Sequence, residues 1–307
     1  MVRNRADLRI ALFPGQGSLK PGMGLNWADH PSAELFDQIA NVADVDVRFL
    51  VEQAPLETLV RTDNAQLATF ALSAVVAHAA QLDDVDLAIG HSLGEYSALY
   101  FAGILGLADA TKLVRARGQA MAQASLDHPG GLVAVLGADS DQLAAVIQQF
   151  PTLMIANQNA PGQTVLAGSS HDLEALRATS KELGLKRVVP LDVGGAFHSP
   201  LMASAHDSLD LALADTTFEE GRMPVIANVD AQRHEGGNQW RTLLLRQLTS
   251  TVRFQDSVAQ LQGSSNTFIE LGPGGVLTGL VKRIDAEATL ISLATPDDVD
   301  LYRKERS

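Results

Sequence analysis

Ser92 stands in Gly90-His91-Ser92-Leu93-Gly94, directly behind the apolar run Leu87-Ala88-Ile89 and ahead of Glu95-Tyr96-Ser97-Ala98-Leu99. A strand, a sharp turn onto a serine and a helix together make a nucleophile elbow of the G-x-S-x-G type. Small flanking residues let the backbone leave the β region without a clash. The turn lifts the hydroxyl above the sheet and leaves the Leu93 amide at a helix N-terminus, where it can stabilise an oxyanion. Ordinary turns also carry this pentapeptide; the strand before it and the helix after it favour the nucleophile.

A serine hydroxyl is a weak nucleophile and needs a base. Of the eight histidines, His198 has the most informative surroundings, Gly194-Gly195-Ala196-Phe197-His198-Ser199-Pro200. Ser199 suits an N-cap and Pro200 the first helical turn. His198 is thus expected just ahead of a helix N-terminus, whose positive end helps keep the imidazole neutral. A loop histidine beside a cap is the alternative. His91 adjoins Ser92, but neighbouring side chains diverge, so it is a wall of the site or a packing residue. His30, His128, His171 and His234 lie in polar contexts that predict solvated surface. His78 and His206 fall inside helices without special company.

Arg117 interrupts an apolar stripe. A helix over 109–124 places Ala110, Leu113, Val114, Arg117 and Met121 on one face and turns Arg115 elsewhere. A core-facing arginine must meet an anion. An internal salt bridge and a bidentate seat for a substrate carboxylate both satisfy that demand, and periodicity does not choose between them. Near the N-terminus, Phe13-Pro14-Gly15-Gln16-Gly17-Ser18 follows the first strand. The Gln16 amide is a candidate second oxyanion donor; a plain strand-exit turn is the alternative. The segment lacks the Gly-Lys-Ser/Thr of a P-loop. Gly272-Pro273-Gly274-Gly275 reads as a tight strand-to-helix connection.

The elements that must position these groups alternate. Strands are expected over 8–13 and 86–89, with helices over 65–81, 94–102 and 109–124. This order favours an α/β fold with a parallel sheet. The pattern changes at His128-Pro129-Gly130-Gly131. Strands over 132–136, 153–156, 163–167 and 186–191 and helices over 140–150 and 170–183 give the order β-α-β-β-α-β, which is ferredoxin-like. A small domain over 129–195 is therefore expected as an insertion in a large domain formed by 1–128 and 196–307. The large domain resumes with a helix from Pro200, strands over 225–228, 267–270 and 289–291, and a helix over 276–284. From about Tyr302 a frayed polar tail is expected.

At 307 residues, with 46% apolar and 19% charged, the chain is globular and long enough for one large domain or two unequal ones. The net charge of −13 argues against nucleic-acid binding. An anionic substrate must then be caught by a local basic focus. The absence of cysteine excludes disulfides, thiolate metal sites and a cysteine nucleophile, and it fits a cytoplasmic protein. The apolar stretches are too short to span a membrane. The segment 9–13 leads into Pro-Gly and is a first strand rather than a signal peptide.

Taken together, these stretches resemble the malonyl-CoA:acyl carrier protein transacylase family, which is related to polyketide synthase acyltransferase domains. The similarity extends through Arg117-Gly-Gln-Ala-Met121, Asn157-Gln-Asn-Ala-Pro-Gly-Gln-Thr-Val165, Gly195-Ala-Phe-His-Ser-Pro-Leu-Met202, Gln247-Leu-Thr-Ser-Thr-Val-Arg253 and Glu270-Leu-Gly-Pro-Gly274, in the family's order. The resemblance implies an α/β-hydrolase-like large domain with a ferredoxin-like insert. It implies Ser92 as the acylated residue, His198 as base and then acid, and the Gln16 and Leu93 amides as the oxyanion hole. Arg117 would hold the malonyl carboxylate, with Phe197, His91 and Asn157 as further substrate-binding residues. The Gln247 backbone carbonyl would orient the histidine, although Asp192 stays open as an acid. Phe197 resembles the malonyl-selecting form of its motif. Two departures stand out: Thr251 replaces a usual proline, and Gly275 a frequent lysine.

The implied activity is ping-pong transfer of a malonyl group from malonyl-CoA to the phosphopantetheine thiol of acyl carrier protein, in fatty acid biosynthesis. Coenzyme A thioester is then substrate, and neither metal nor other resident cofactor is implied. A cytoplasmic monomer is expected, with Lys186, Arg187, Lys282 and Arg283 as candidate carrier-docking residues or as solvated surface. Alternatives are an acyltransferase of a polyketide synthase or malonate decarboxylase system, an acyl hydrolase acting on carrier proteins, and a carrier-binding scaffold with a degenerate site.

Overall fold

The computed structural model describes residues 7–262 and 265–306. Among them, the strands in chain order are β1 (Arg9–Phe13), β2 (Leu87–Gly90), β3 (Gly130–Leu136), β4 (Met154–Ala160), β5 (Gln163–Ser169), β6 (Arg187–Pro190), β7 (Val225–Ile226), β8 (Arg233–His234), β9 (Thr267–Leu271) and β10 (Thr289–Leu293). They form two sheets. The larger has the order β10-β9-β1-β2-β7-β8. It is parallel except for the β7–β8 pair. The chain is thus a mixed α/β protein with a parallel sheet.

A parallel sheet covered on both faces needs apolar residues at successive positions, because alternate side chains enter opposite layers. In β1, Ala11 and Phe13 pack into the layer built from the helices Thr62–Ala80, Gly94–Phe101 and Leu107–Asp127. Ile10 and Leu12 pack on the other face against Val258, Leu277, Leu280 and Val281, carried by the helices Phe254–Ala259 and Val276–Ile284. The helix Thr62–Ala80 is apolar nearly all round, as befits one enclosed by neighbours.

The central crossover depends on glycine. A Cβ on Gly94 would sit 2.0 Å from the Phe13 carbonyl oxygen, and one on Gly90 would sit 2.1 Å from the Glu95 amide nitrogen. Backbone meets backbone here, so no side-chain rotation can relieve the overlap. Gly94→Ala is accordingly expected to cost about 3 kcal/mol or more of stability. Chemical denaturation checks this; an unchanged midpoint would contradict it.

The second sheet, β4-β5-β3-β6, is antiparallel throughout. Val133 and Val135 of β3 pack under the helices Ser140–Gln149 and Ser170–Thr179 through Leu143, Val146, Leu173 and Leu176. Leu132 and Ala134, on the opposite face of the strand, join the larger core. Asp139 and Gln142 form a capping box at one helix, and Ser169 caps the other. The edge strand β4 is stitched to the segment that follows Gln247. Val252 N donates to Ala156 O at 2.8 Å, Gln158 N to Val252 O at 2.9 Å, and Thr251 Oγ1 to Ile155 O at 2.6 Å. The hydroxyl of Thr251 thus adds a bond that a proline side chain cannot make.

Most expected elements lie within a few residues of their predicted bounds. The segment after Ser199 differs: a 3-10 turn, Pro200–Ala205, precedes the helix His206–Ala214. β4 runs on to Ala160, beyond the expected end of its strand at 156. The C-terminal residues are not a frayed tail from Tyr302. Thr295 and Asp298 form a capping box, Pro296 opens a helix to Lys304, and Tyr302 is buried. His78 is not without company either, since its Nδ1 lies 3.0 Å from Ser32 Oγ.

Candidate active site

Ser92 lies between β2 and the helix Gly94–Phe101, with φ at 54°, in the left-handed region that non-glycine residues seldom enter. Asn228 holds that conformation. Its Oδ1 accepts from Ser92 N at 2.7 Å, and its Nδ2 donates to Gly90 O at 2.7 Å. One amide side chain therefore clips both sides of the turn. Leu93 directly precedes the helix, so its amide belongs to the first-turn donors for which the helix offers no acceptor. Gln16 opens the 3-10 turn Gln16–Ser18 after β1. Its loop and the elbow leave neighbouring strand ends: Phe13 pairs with Gly90, and His91 N donates to Phe13 O at 3.0 Å. A Cβ on Gly15 would lie 3.0 Å from His91 O, so glycine allows this approach.

His198 meets Ser92 directly. Its Nε2 lies 2.7 Å from Ser92 Oγ, and its Nδ1 lies 2.8 Å from the Gln247 carbonyl oxygen. A carbonyl can only accept, so Nδ1 carries the proton and Nε2 accepts from the serine hydroxyl. The place an acid would take is filled by that carbonyl, and Asp192 is exposed. The replacement of proline by Thr251 leaves this contact in place.

Burial, aided by the positive Arg117, pushes the His198 imidazole down from its ordinary 6.5 to about 3. The cause differs from the helix dipole expected above, since the element after Ser199 is a 3-10 turn and burial dominates. An imidazole held neutral in this way could act as a base well below neutrality. The first-step rate is thus expected to stay flat from about pH 7 to about pH 5, where an unperturbed histidine would protonate. A rate measured by stopped flow that falls with a midpoint near 6.5 would contradict this.

Arg117 is fully buried on the helix Leu107–Asp127. Its Nη1 donates to Gln66 Oε1 at 2.6 Å; its Nη2 donates to Gln247 Oε1 at 3.0 Å and Ser92 Oγ at 3.2 Å. The guanidinium carbon lies 5.5 Å from the Tyr96 ring centroid. Burial lowers its proton affinity, but guanidinium stays cationic in proteins. Its hydrogen bonds go to neutral oxygens rather than to the carboxylate of a salt bridge. Such a cation, beside the hydroxyl, retains strong attraction for a ligand carboxylate.

The remaining predicted residues take varied places. His91 Nε2 donates to Asn159 Oδ1 at 2.8 Å, and its ring packs 5.6 Å from that of Phe254. The ring is thereby tied to β4. Burial lowers its proton affinity. Asn157, one strand repeat away, is buried with its Oδ1 unpartnered. Phe197 is buried beside His198. Lys186, Arg187, Lys282 and Arg283 are exposed. Arg283 reaches Gln163 Oε1 at 2.5 Å and Pro161 O at 2.9 Å, bracing the second sheet.

Sequence reasoning passed over Gln66, Glu95, Asn159 and Asn228. A lone glutamine inside the apolar run 65–77 was the visible sign for Gln66. The others are polar residues whose burial follows only from tertiary packing. Among the described residues, no cluster of His, Asp or Glu is arranged to hold a metal, and no helix is long and apolar enough to cross a membrane.

Known proteins share both sequence and fold with this chain. The acyl transferase domain family matches residues 11–304. A malonyl CoA-acyl carrier protein transacylase of Bacillus subtilis (strain 168) is 37% identical over 299 residues, covering 94% of each chain. An acyl-carrier-protein S-malonyltransferase of Bartonella henselae superposes with a TM-score of 0.91 at 30% identity, covering 97% of this chain and 99% of the other. A malonyl-transacylase solved in complex with a type II polyketide synthase carrier protein gives a TM-score of 0.91 at 32% identity, covering 97% of this chain and 100% of that one.

Proposed function

The chain belongs to the acyl transferase family, and from that premise we propose that it moves a malonyl group from malonyl-CoA to the phosphopantetheine thiol of acyl carrier protein, for fatty acid biosynthesis. The observation that carries this reading is the sharing of Ser92 Oγ between a neutral imidazole at 2.7 Å and a buried guanidinium at 3.2 Å. One partner activates the nucleophile. The other selects an acyl group that ends in a carboxylate.

In the first half-reaction, His198 Nε2 takes the hydroxyl proton as Ser92 Oγ bonds to the thioester carbonyl carbon. The oxyanion is received by the amides of Gln16 and Leu93. The C–S bond breaks, the imidazolium returns its proton to sulfur, and coenzyme A leaves. In the second half, the carrier thiol gives its proton to His198 and its sulfur bonds to the acyl carbon. The C–Oγ bond then breaks and Ser92 recovers the proton. The Gln247 carbonyl keeps Nδ1 protonated in both halves and stabilises the transient imidazolium. These steps balance with the chain's own groups, so no resident cofactor is invoked.

Further parts of the reading have separate supports. The strand order of the second sheet and its β-α-β-β-α-β connectivity support a ferredoxin-like insert over 129–195 in an α/β-hydrolase-like domain formed by 1–128 and 196–307. Phe197, His91 and Asn157 line the acyl site in this reading; the unpartnered Asn157 Oδ1 supports a polar ligand contact there. Carrier docking by Lys186, Arg187, Lys282 and Arg283, and a cytoplasmic monomer, complete it. Transfer of labelled acyl groups from a panel of coenzyme A thioesters to carrier protein tests the whole. Malonyl should lead the panel; release of free acid in place of transfer would indicate the hydrolase reading instead.

A further inference from the structure

Glu95 is buried on the first turn of the helix Gly94–Phe101 and enters no step described above. Its two oxygens face two donors. Oε1 accepts from the Asn228 backbone amide at 2.6 Å, and Oε2 accepts from the Gln247 side-chain amide at 2.5 Å. The amide nitrogen of Gln247 has two hydrogens. One serves Glu95, and the other serves the Ser92 carbonyl oxygen at 2.9 Å. The Gln247 oxygen is thereby turned towards Arg117, which donates to it at 3.0 Å.

A glutamine amide is nearly symmetrical in shape, and only its partners decide which end points where. Reversed, the Gln247 NH2 would oppose the guanidinium, donor against donor, while its oxygen would oppose the Glu95 carboxyl. We propose that Glu95 is a positioning residue for donor selection: by fixing the Gln247 amide, it offers Arg117 an acceptor and aims the guanidinium at the acyl carboxylate. Its other oxygen supports the backbone of Asn228, whose side chain clips the Ser92 turn, so one carboxyl braces both the selector and the nucleophile.

The charge state of Glu95 bears on this task. Burial raises its carboxyl to about 8, against the pull of the Asn228 and Gln247 donors and of Arg117; Asp230 adds to the rise. A protonated carboxyl carries a hydroxyl donor, so it is the ionised form whose two oxygens accept from both donors.

The inference rests on the reading of Arg117 as the carboxylate seat. Its test is donor preference, kcat/KM for malonyl-CoA over acetyl-CoA, in Glu95→Ala and Glu95→Gln. The alanine variant should lower that preference about tenfold or more, mainly through KM for malonyl-CoA. The near-isosteric glutamine keeps an acceptor for only one of the two donors and should fall between, even if the alanine variant fails to fold. In a Gln247→Ala background, removing the Glu95 carboxyl should lower the preference no further. Equal losses for both donors in the Glu95 variants, or a full additional loss in that background, would overturn the proposal. A wild-type enzyme without preference for malonyl-CoA would overturn the Arg117 reading itself, an outcome independent of Glu95.

Discussion

Ser92→Ala is expected to form no acyl-enzyme and to transfer malonyl groups more slowly by about 10⁴-fold or more. The size follows from the geometry. The hydroxyl lies 2.7 Å from an imidazole whose other nitrogen is fixed by the Gln247 carbonyl. Water admitted to the space would lack a covalent route to the carrier thiol. The fold should survive, because Asn228 clips the backbone at Ser92 N and Gly90 O rather than the lost hydroxyl. Serine and alanine both carry a Cβ into the left-handed region, so the turn is strained alike in each and stability should change little. Binding of malonyl-CoA should persist, since Arg117 keeps its bonds to Gln66 and Gln247. Rapid-quench measurement of acyl-enzyme, together with calorimetric titration of malonyl-CoA, separates these effects. A variant that still accumulates acyl-enzyme would remove Ser92 from its role.

The second large effect belongs to Arg117. Arg117→Ala should lower kcat/KM for malonyl-CoA by about 10²-fold or more while lowering that for acetyl-CoA far less. A substrate carboxylate seated as proposed would lose the buried counter-charge of Arg117 in the variant, and an uncompensated buried charge is costly. Acetyl has no such requirement. Part of the loss will be common to both donors, because Gln66 and Gln247 are left with unpaired oxygens and Ser92 loses a neighbour. The ratio of the two rates is therefore the informative quantity. Arg117→Lys should recover little, since one ammonium on a flexible stem cannot span Gln66, Gln247 and the acyl carboxylate together. Equal falls for malonyl and acetyl would show that Arg117 supports the site without choosing the substrate.

The site divides into groups that announce themselves locally and groups that do not. Ser92 is legible because a strained turn demands glycine neighbours, and Arg117 because a charge on an apolar helical stripe is conspicuous. His198 was legible as a histidine beside a cap, but the reason for its neutrality was not. Burial depends on what packs over it, which no local pattern reveals. The Gln247 carbonyl is a backbone atom and carries no signal of its own; only family resemblance pointed there. Glu95 and Asn228 look like a helix-start acid and a strand-end amide, and become a buried clamp only when the elbow and the end of β7 meet.

The elements show the same division. Alternating apolar runs and amphipathic helices gave β1, β2 and the second sheet to within a few residues, because parallel and antiparallel strands impose different burial patterns. The helix Gln239–Gln247 was missed, as its polar sequence offers little periodicity and Trp240, Leu243 and Leu244 are buried by neighbours distant in the chain. The last helix was missed for the opposite reason. Thr295, Pro296 and Asp298 form a start signal, but the charged residues after it suggested a tail.

We propose that Ser92, His198 and Arg117 act together on one dicarboxylic thioester. Peptide mass spectrometry of the protein quenched after exposure to an equal mixture of malonyl-CoA and acetyl-CoA, without carrier protein, tests it most directly. One malonyl group on the peptide bearing Ser92, little acetyl, and release of the malonyl group on adding carrier protein are the predicted results. Acetyl and malonyl at equal occupancy, or an acyl group on any other residue, would contradict the account.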